Sequence, residues 1–228
     1  MIINVIATGS SGNLYEILDK SGNSILIEAG VPVATYMKHK EGTKLPEMCI
    51  ITHAHGDHAG HRKEYSAMMQ TYLNEHKCES KNFKALGFSV YHGGCITYAY
   101  IIKVYTENKF FFFGTDMQYS EEYVDLFESL RFWEVETFLI ECNYNDYLLH
   151  LSNKDERIGC ERHMSDNDVV RFMRKVKPKN PAIITIHGSN RLSANNYTKK
   201  YIQSKILNST VDVATGATWS GKNLFLIT

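Results

Sequence analysis

A short run of apolar residues, Met48 to Thr52, leads straight into His53-Ala54-His55-Gly56-Asp57-His58, and this segment constrains the chain more than any other. A strand apolar on both faces has to be buried, so whatever fold forms must deliver three imidazoles and a carboxylate to a buried strand end. Such groups are costly there unless they are paired or bound to a cation. Imidazole suits zinc, and a mixed imidazole and carboxylate set without thiolate points to a catalytic site rather than a closed structural one. His53 and His55, two residues apart on extended backbone, can point the same way. The bend at Gly56 lets Asp57 and His58 face another direction, so one loop can serve two metals.

Around this loop the chain reads as strands first, then strands and helices mixed. Turn residues at 9–13 and 21–23 separate strands expected at 2–7, 14–18 and 24–28. Further strands are expected at 88–91, 97–104, 109–114, 137–141 and 182–187, which are rich in β-branched and aromatic residues. Helices fit 59–73, 121–130, 166–176, capped by Ser165 or Asp166, and 194–207. Residues 143–162 are polar and irregular and read as a loop over the site. The 228 residues suffice for one α/β domain with two sheets and helices outside them.

Composition narrows the function. Lys plus Arg and Asp plus Glu number 25 each, so there is no global positive field of the kind long nucleic acids reward. Lys199-Lys200 reads as an isolated basic pair. The N-terminal apolar run is too short for a signal peptide, and no apolar stretch of about 18 residues occurs, so a soluble, cytoplasmic protein is expected. Cys49, Cys78, Cys95, Cys142 and Cys160 show no C-x-x-C spacing and read as reduced thiols.

The His-x-His-x-Asp-His pattern after an apolar strand resembles the signature of the metallo-β-lactamase superfamily, and the likeness extends over the whole chain. His92 follows Phe88-Ser-Val-Tyr, Asp116 follows Lys109-Phe-Phe-Phe-Phe-Gly-Thr, and His187 follows Ala182-Ile-Ile-Thr-Ile, where that family has its further ligands. The resemblance implies a four-layered αββα sandwich. It also implies His53, His55 and His92 at a first metal, Asp57, His58 and His187 at a second, and Asp116 bridging them. Zinc is the expected ion, with Mn2+ and Fe2+ as alternatives. Glu28 stands where the family usually has aspartate, and is expected to orient a histidine ligand. Gly93-Gly94 follows His92 where near relatives often carry an aspartate.

Other blocks choose among branches. Gly9-Ser-Ser-Gly-Asn13, Ile140-Glu-Cys-Asn-Tyr144, Arg162-His-Met-Ser165 and His187-Gly-Ser-Asn190 resemble the YycJ-like (WalJ-like) group and its phage-encoded relatives, including anti-Pycsar phosphodiesterases. His55 and Asp116 argue against flavodiiron proteins and β-lactamases respectively. His163 resembles the extra histidine of phosphodiesterase branches such as tRNase Z, and with Asp57 it is a catalytic candidate. An imidazole near the leaving group can give the proton that a departing alkoxide needs. Glu141 is placed to orient His163 or simply to end a strand. Ser189 and Asn190 are substrate candidates, and Tyr144 and Tyr147 could stack on a base. The 9–13 segment reads as a turn between strands in preference to a phosphate cradle. His61 reads as an exposed residue near the rim, and His39, His76 and His150 as surface residues.

The implied activity is hydrolysis of nucleotide phosphodiesters, with neutral composition tilting the substrate toward small cyclic nucleotides. A YycJ-like DNA exonuclease is the alternative, and a thioester or lactone hydrolase or a non-catalytic metal-binding domain are more distant ones. The resemblance implies a homodimer, and the host cytoplasm if the chain is phage-encoded. No membrane partner is expected.

Overall fold

The computed structural model describes residues 1–189, 191–216 and 222–227. The chain divides into two compact units, the first comprising Met1–Gly87, Ile102–Lys109 and Ala214–Thr228, the second Phe88–Ile101 and Phe110–Val213.

In the first unit a sheet is built from β1 (Ile2–Ala7), β2 (Leu14–Leu18), β3 (Ser24–Ile27), β4 (Met48–Ile51), β5 (Gln70–Leu73) and β13 (Leu224–Leu226), in the order β13-β1-β2-β3-β4-β5. β13, β1, β2 and β3 are antiparallel; β3, β4 and β5 are parallel. Every residue of β2, β3 and β4 is buried, as their nearly continuous apolar runs require. α1 (Val33–His39) packs Tyr36 against Tyr65 of α3 (Arg62–Ser66), in a core with Leu14, Leu26, Cys49 and Ile51.

The helix expected over 59–73 does not form. The chain makes α2 (Gly56–Ala59), breaks at Gly60, makes α3, and then enters β5, whose Gln70 to Leu73 pair with Met48 to Ile51. Thr71 and Tyr72 favour extended backbone, and without β5 the edge of β4 would present a row of unpaired amides and carbonyls. Glycine sits where the turn must be tight. A Cβ at Gly30 would lie 1.8 Å from the Asp57 carbonyl oxygen and 2.6 Å from the Asn13 nitrogen.

The second sheet follows the order β12-β11-β10-β9-β8-β7-β6, with β6 at Lys77–Glu79, β7 at Phe83–Val90, β8 at Thr97–Val104, β9 at Lys109–Gly114, β10 at Thr137–Glu141, β11 at Ala182–Ile186 and β12 at Thr210–Val213. Within the second unit β9, β10, β11 and β12 are parallel, in a register that pairs Gly114 with Ile140 and Glu141 with Ile186. Their carboxyl ends therefore finish side by side. α4 (Val124–Phe132) and α7 (Asp166–Val176) cover a core in which the Phe172 ring lies 5.2 Å from both Phe112 and Phe127. α7 begins with a capping box: Ser165 accepts from the Asp168 amide while the Asp168 carboxylate accepts from the Ser165 amide. The cap is Ser165 rather than Asp166. Residues 143–162, expected as irregular loop, contain α5 (Asp146–His150), capped by Asn145, and α6 (Lys154–Cys160). α8 (Asn195–Lys205) follows β11.

Two glycine substitutions test this account by urea denaturation. Gly30→Ala should cost at least about 3 kcal/mol, because rigid backbone atoms oppose the added methyl group. Gly159→Ala, in α6 with nothing within 4 Å of the new Cβ, should change stability by less than about 1 kcal/mol, in the stabilising direction. Equal effects would show that the Gly30 approach is not a packing constraint.

Candidate functional site

In the first unit, β4 delivers a loop in which the buried His53 and His58 are backed by other side chains and His55 is exposed. His53 is buried, and its Nδ1 lies 2.9 Å from the Thr52 hydroxyl oxygen, while its Nε2 lies 2.9 Å from His55 Nδ1. Thr52 is in turn bound to Glu28: its hydroxyl donates to Oε1 at 2.6 Å and its amide to Oε2 at 3.3 Å. Oε1 of the same carboxylate lies 3.3 Å from His58 Nδ1. Fully buried Glu28 thus acts on His58 directly and on His53 through Thr52. His58 Nε2 lies 3.3 Å from Asp57 Oδ2 and 3.2 Å from Asn13 Nδ2.

In the sequence Asn13 stands in a turn segment that resembles a block of the YycJ-like group, with nothing to link it to the histidine loop. Its amide donates to the Asp57 carbonyl at 2.8 Å, and its side chain donates to the same oxygen and to the Gly9 carbonyl. The Gly9-to-Asn13 segment therefore braces the histidine loop.

In the second unit, the ends of parallel strands gather His92, Asp116, Glu141, His163 and His187. Asp116 divides its two oxygens, with Oδ2 at 3.2 Å from His92 Nε2 and Oδ1 at 3.2 Å from His187 Nε2. His92 Nδ1 faces the Arg162 carbonyl at 3.2 Å, which leaves Nε2, on the Asp116 side, as the nitrogen that could take a cation. Glu141 is fully buried. Its Oε1 lies 2.5 Å from His163 Nδ1 and 3.2 Å from His187 Nδ1, and its Oε2 accepts from the Met117 amide at 2.9 Å. Asn143 Nδ2 donates to the His187 carbonyl at 3.0 Å and lies 3.3 Å from its Nδ1. The His163 ring stacks on that of His187 at 5.5 Å and 24°.

Burial and charge act in opposition on these groups. Burial disfavours the charged imidazole of His92 and lowers its pKa despite Asp116. Burial would also lower that of His163, but the adjacent Glu141 carboxylate reverses the sign and raises it. Burial would raise Glu141, yet the His163 charge and the hydrogen bonds from His163 and His187 hold it below the usual carboxylate range.

Glu28, Asp116 and His187 have φ of 70°, 49° and 55°. Left-handed backbone is unusual for residues with a Cβ and costs about 1–3 kcal/mol at each. All three stand at or just beyond strand ends, where the chain turns a carboxylate or imidazole back toward its cluster.

The donor sets fit a divalent cation. Ligand atoms of Asp116, Glu141, His163 and His187 lie within 4.8 Å of one another, and both clusters offer only nitrogen and oxygen, the set that zinc, manganese and iron share. Other candidates stand apart. Ser189 turns its hydroxyl to the amides of Arg191 and Leu192, and Asn190 lies outside the described residues. Tyr144 is buried with Cys160 and Leu192, whereas Tyr147 is exposed. His61 pairs with Glu64 at 2.7 Å; His39, His76 and His150 belong to neither cluster. The five cysteines are free thiols.

No protein-family model matches the sequence, and no curated protein does. Solved structures do match. YhfI of Bacillus subtilis, a metallo-β-lactamase fold protein, superposes with a TM-score of 0.72 at 12% identity, covering 99% of each chain. This chain has the metallo-β-lactamase fold. The short form of human tRNase Z matches at 0.67 and 12% identity over all of both chains, and unliganded yeast PDE1 at 0.67 and 13% over 99% of each. Among the described residues no helix is long and apolar enough to cross a membrane.

Metal analysis of purified variants tests the two clusters. Asp116→Ala should lose most of the zinc retained after dialysis, while His61→Ala should retain it. Glu28→Ala, which releases both His58 and the Thr52 link to His53, should weaken zinc affinity about 10- to 100-fold in competition with a chromophoric chelator. Unaltered affinity in Glu28→Ala would remove its orienting role.

Proposed function

We propose that this chain is a metal-dependent phosphodiesterase that hydrolyses nucleotide phosphodiester bonds, with His53, His55, Asp57, His58, His92, Asp116 and His187 as the ligands of two divalent ions, zinc foremost. The observation that carries the reading is the His163–Glu141 pair. Metal binding by Asp116 and His187 does not require it, and its geometry is that of a proton donor held in place. Bound divalent ions would supply an activated water and neutralise charge on the phosphoryl oxygens.

The chain's own residues supply the rest. With Nδ1 of His163 committed to Glu141, Nε2 is the nitrogen able to hand a proton to a departing alkoxide. The buried carboxylate favours the protonated imidazole for that step and fixes its plane. Contact of Glu141 with His187 ties the same carboxylate to the ligand cluster. A thioester hydrolase, whose leaving thiolate is stable, has no use for such a donor.

Structural neighbours that include a tRNase Z support phosphoester chemistry. The balanced charge of the whole chain speaks for small cyclic nucleotides as substrates. A polynucleotide is the second reading, favoured by the distribution of that charge within the second unit.

The decisive assay is turnover of bis-p-nitrophenyl phosphate, cyclic mononucleotides, single-stranded and duplex DNA, and a thioester by the zinc- or manganese-loaded protein. Phosphodiesters should be cleaved and the thioester spared. His163→Ala should lower phosphodiester turnover about 10²- to 10⁴-fold while metal content stays at the wild-type value. Turnover of the thioester alone, or a His163→Ala protein as active as the wild type, would overturn the reading.

A further inference from the structure

The even total of charge conceals an uneven distribution. From Val169 to Val211 the chain carries nine Lys and Arg and no Asp or Glu, although acids and bases are equal over the whole sequence. This stretch holds most of α7 and all of α8, which pack on each other within the second unit. Lys199 pairs with Asp212 at 2.7 Å and Lys175 with Glu121 at 2.8 Å, which leaves Arg171, Arg174, Lys200 and Lys205 as the cations of α7 and α8 outside those pairs.

Side-chain positions turn the count into a face. Arg171 and Arg174, one turn apart on α7, are exposed, as are Lys200 and Lys205 on α8. Tyr197 and Tyr201 stack with ring centroids 5.9 Å apart and planes 7° from parallel, and Lys205 Nζ sits 5.6 Å over the Tyr201 ring. The Tyr201 hydroxyl donates to Asn167 on α7, so this aromatic pair is joined to the Arg171 and Arg174 stripe. Arg171 contacts the half-buried Asp168 of the capping box and lies 4.2 Å over the Tyr119 ring, so it is already partly engaged. Arg174, Lys200 and Lys205 make no ion pair among the described residues.

Rows of cations beside stackable rings suit a strand of phosphates and bases. A cyclic mononucleotide, with one phosphate, has no use for cations this far from the histidines. α7 starts three residues after His163, and Arg174 lies eight residues along it, about 12 Å at 1.5 Å per residue.

We propose that the α7–α8 face docks the backbone of a single-stranded polynucleotide, and that the phosphodiester presented to His163 belongs to such a strand. The second half rests on the phosphodiesterase reading; the docking does not. The test is fluorescence anisotropy of a labelled thymidylate oligomer of about 20 nucleotides, with chelator present so that nothing is cleaved.

Arg174→Glu/Lys200→Glu/Lys205→Glu should raise Kd at least 10-fold at about 50 mM salt and reduce the slope of log K against log salt by about 2, as expected for three lost phosphate contacts. Lys200→Gln/Lys205→Gln should move Kd in the same direction by less. Lys38→Glu/Lys81→Glu, exposed lysines of the first unit, should leave Kd within about twofold, and circular dichroism melts should show every variant folded.

A triple variant that binds the oligomer like the wild type overturns the proposal, as does wild-type protein that ignores the oligomer but is retained on phosphatidylserine vesicles. Bis-p-nitrophenyl phosphate turnover by the wild type separates the two readings. Turnover without loss of binding in the triple variant sinks the docking face alone. Face-dependent binding without any turnover sinks the phosphodiesterase alone.

Discussion

One buried carboxylate organises the cluster of the second unit. Glu141 lies at the end of β10 with no exposed surface, and its two oxygens serve His163, His187 and the Met117 amide. A lone carboxylate in that position would be neutral or destabilising. Three nitrogen partners make it stable as an anion, and in return it fixes the plane of two imidazoles and the turn that follows Asp116. Glu28 does the same work in the first unit through Thr52 and His58. Each cluster is thus built outward from an acid that faces no solvent.

The strained backbone at Glu28, Asp116 and His187 belongs to the same arrangement. Each chain segment leaves its strand and must turn sharply for its side chain to reach the cluster. Hydrogen bonds to the turned residues, such as that from Asn143 to the His187 carbonyl, hold the conformation. Local strain is tolerated because parallel strands, buried on all sides by Phe112, Phe138 and their neighbours, over-determine where the turns begin.

Much of this was legible in the sequence, for a physical reason. Strands at 2–7, 14–18, 97–104, 109–114 and 137–141, and the helix at 166–176, agree with the structure because buried strands and amphipathic helices write their period locally. The histidine loop announced itself by density. What was illegible depends on partners distant in the chain. Asn13 meets Asp57 and His58 across 44 and 45 residues, and the Arg162 carbonyl meets His92 across 70. The turn of Gln70 to Leu73 into a strand was decided by the open edge of β4, which no local propensity records. Short strands β6, β12 and β13 and the helices within 143–162 were missed because three to seven residues carry too little period to read.

The register of β9, β10 and β11 has a further consequence. Because Gly114, Ile140 and Thr185 stand abreast in one ladder, the places from which Asp116, Glu141 and His187 depart are spaced by main-chain hydrogen bonds, at the roughly 4.8 Å pitch of any sheet. The frame of the cluster is a property of the peptide backbone and is indifferent to which donor each strand end carries. A change of side chain at one strand end alters the group presented there without moving the ladder that spaces the other two. Chemical identity and spatial layout are in this sense stored separately, one in side chains and the other in the ladder.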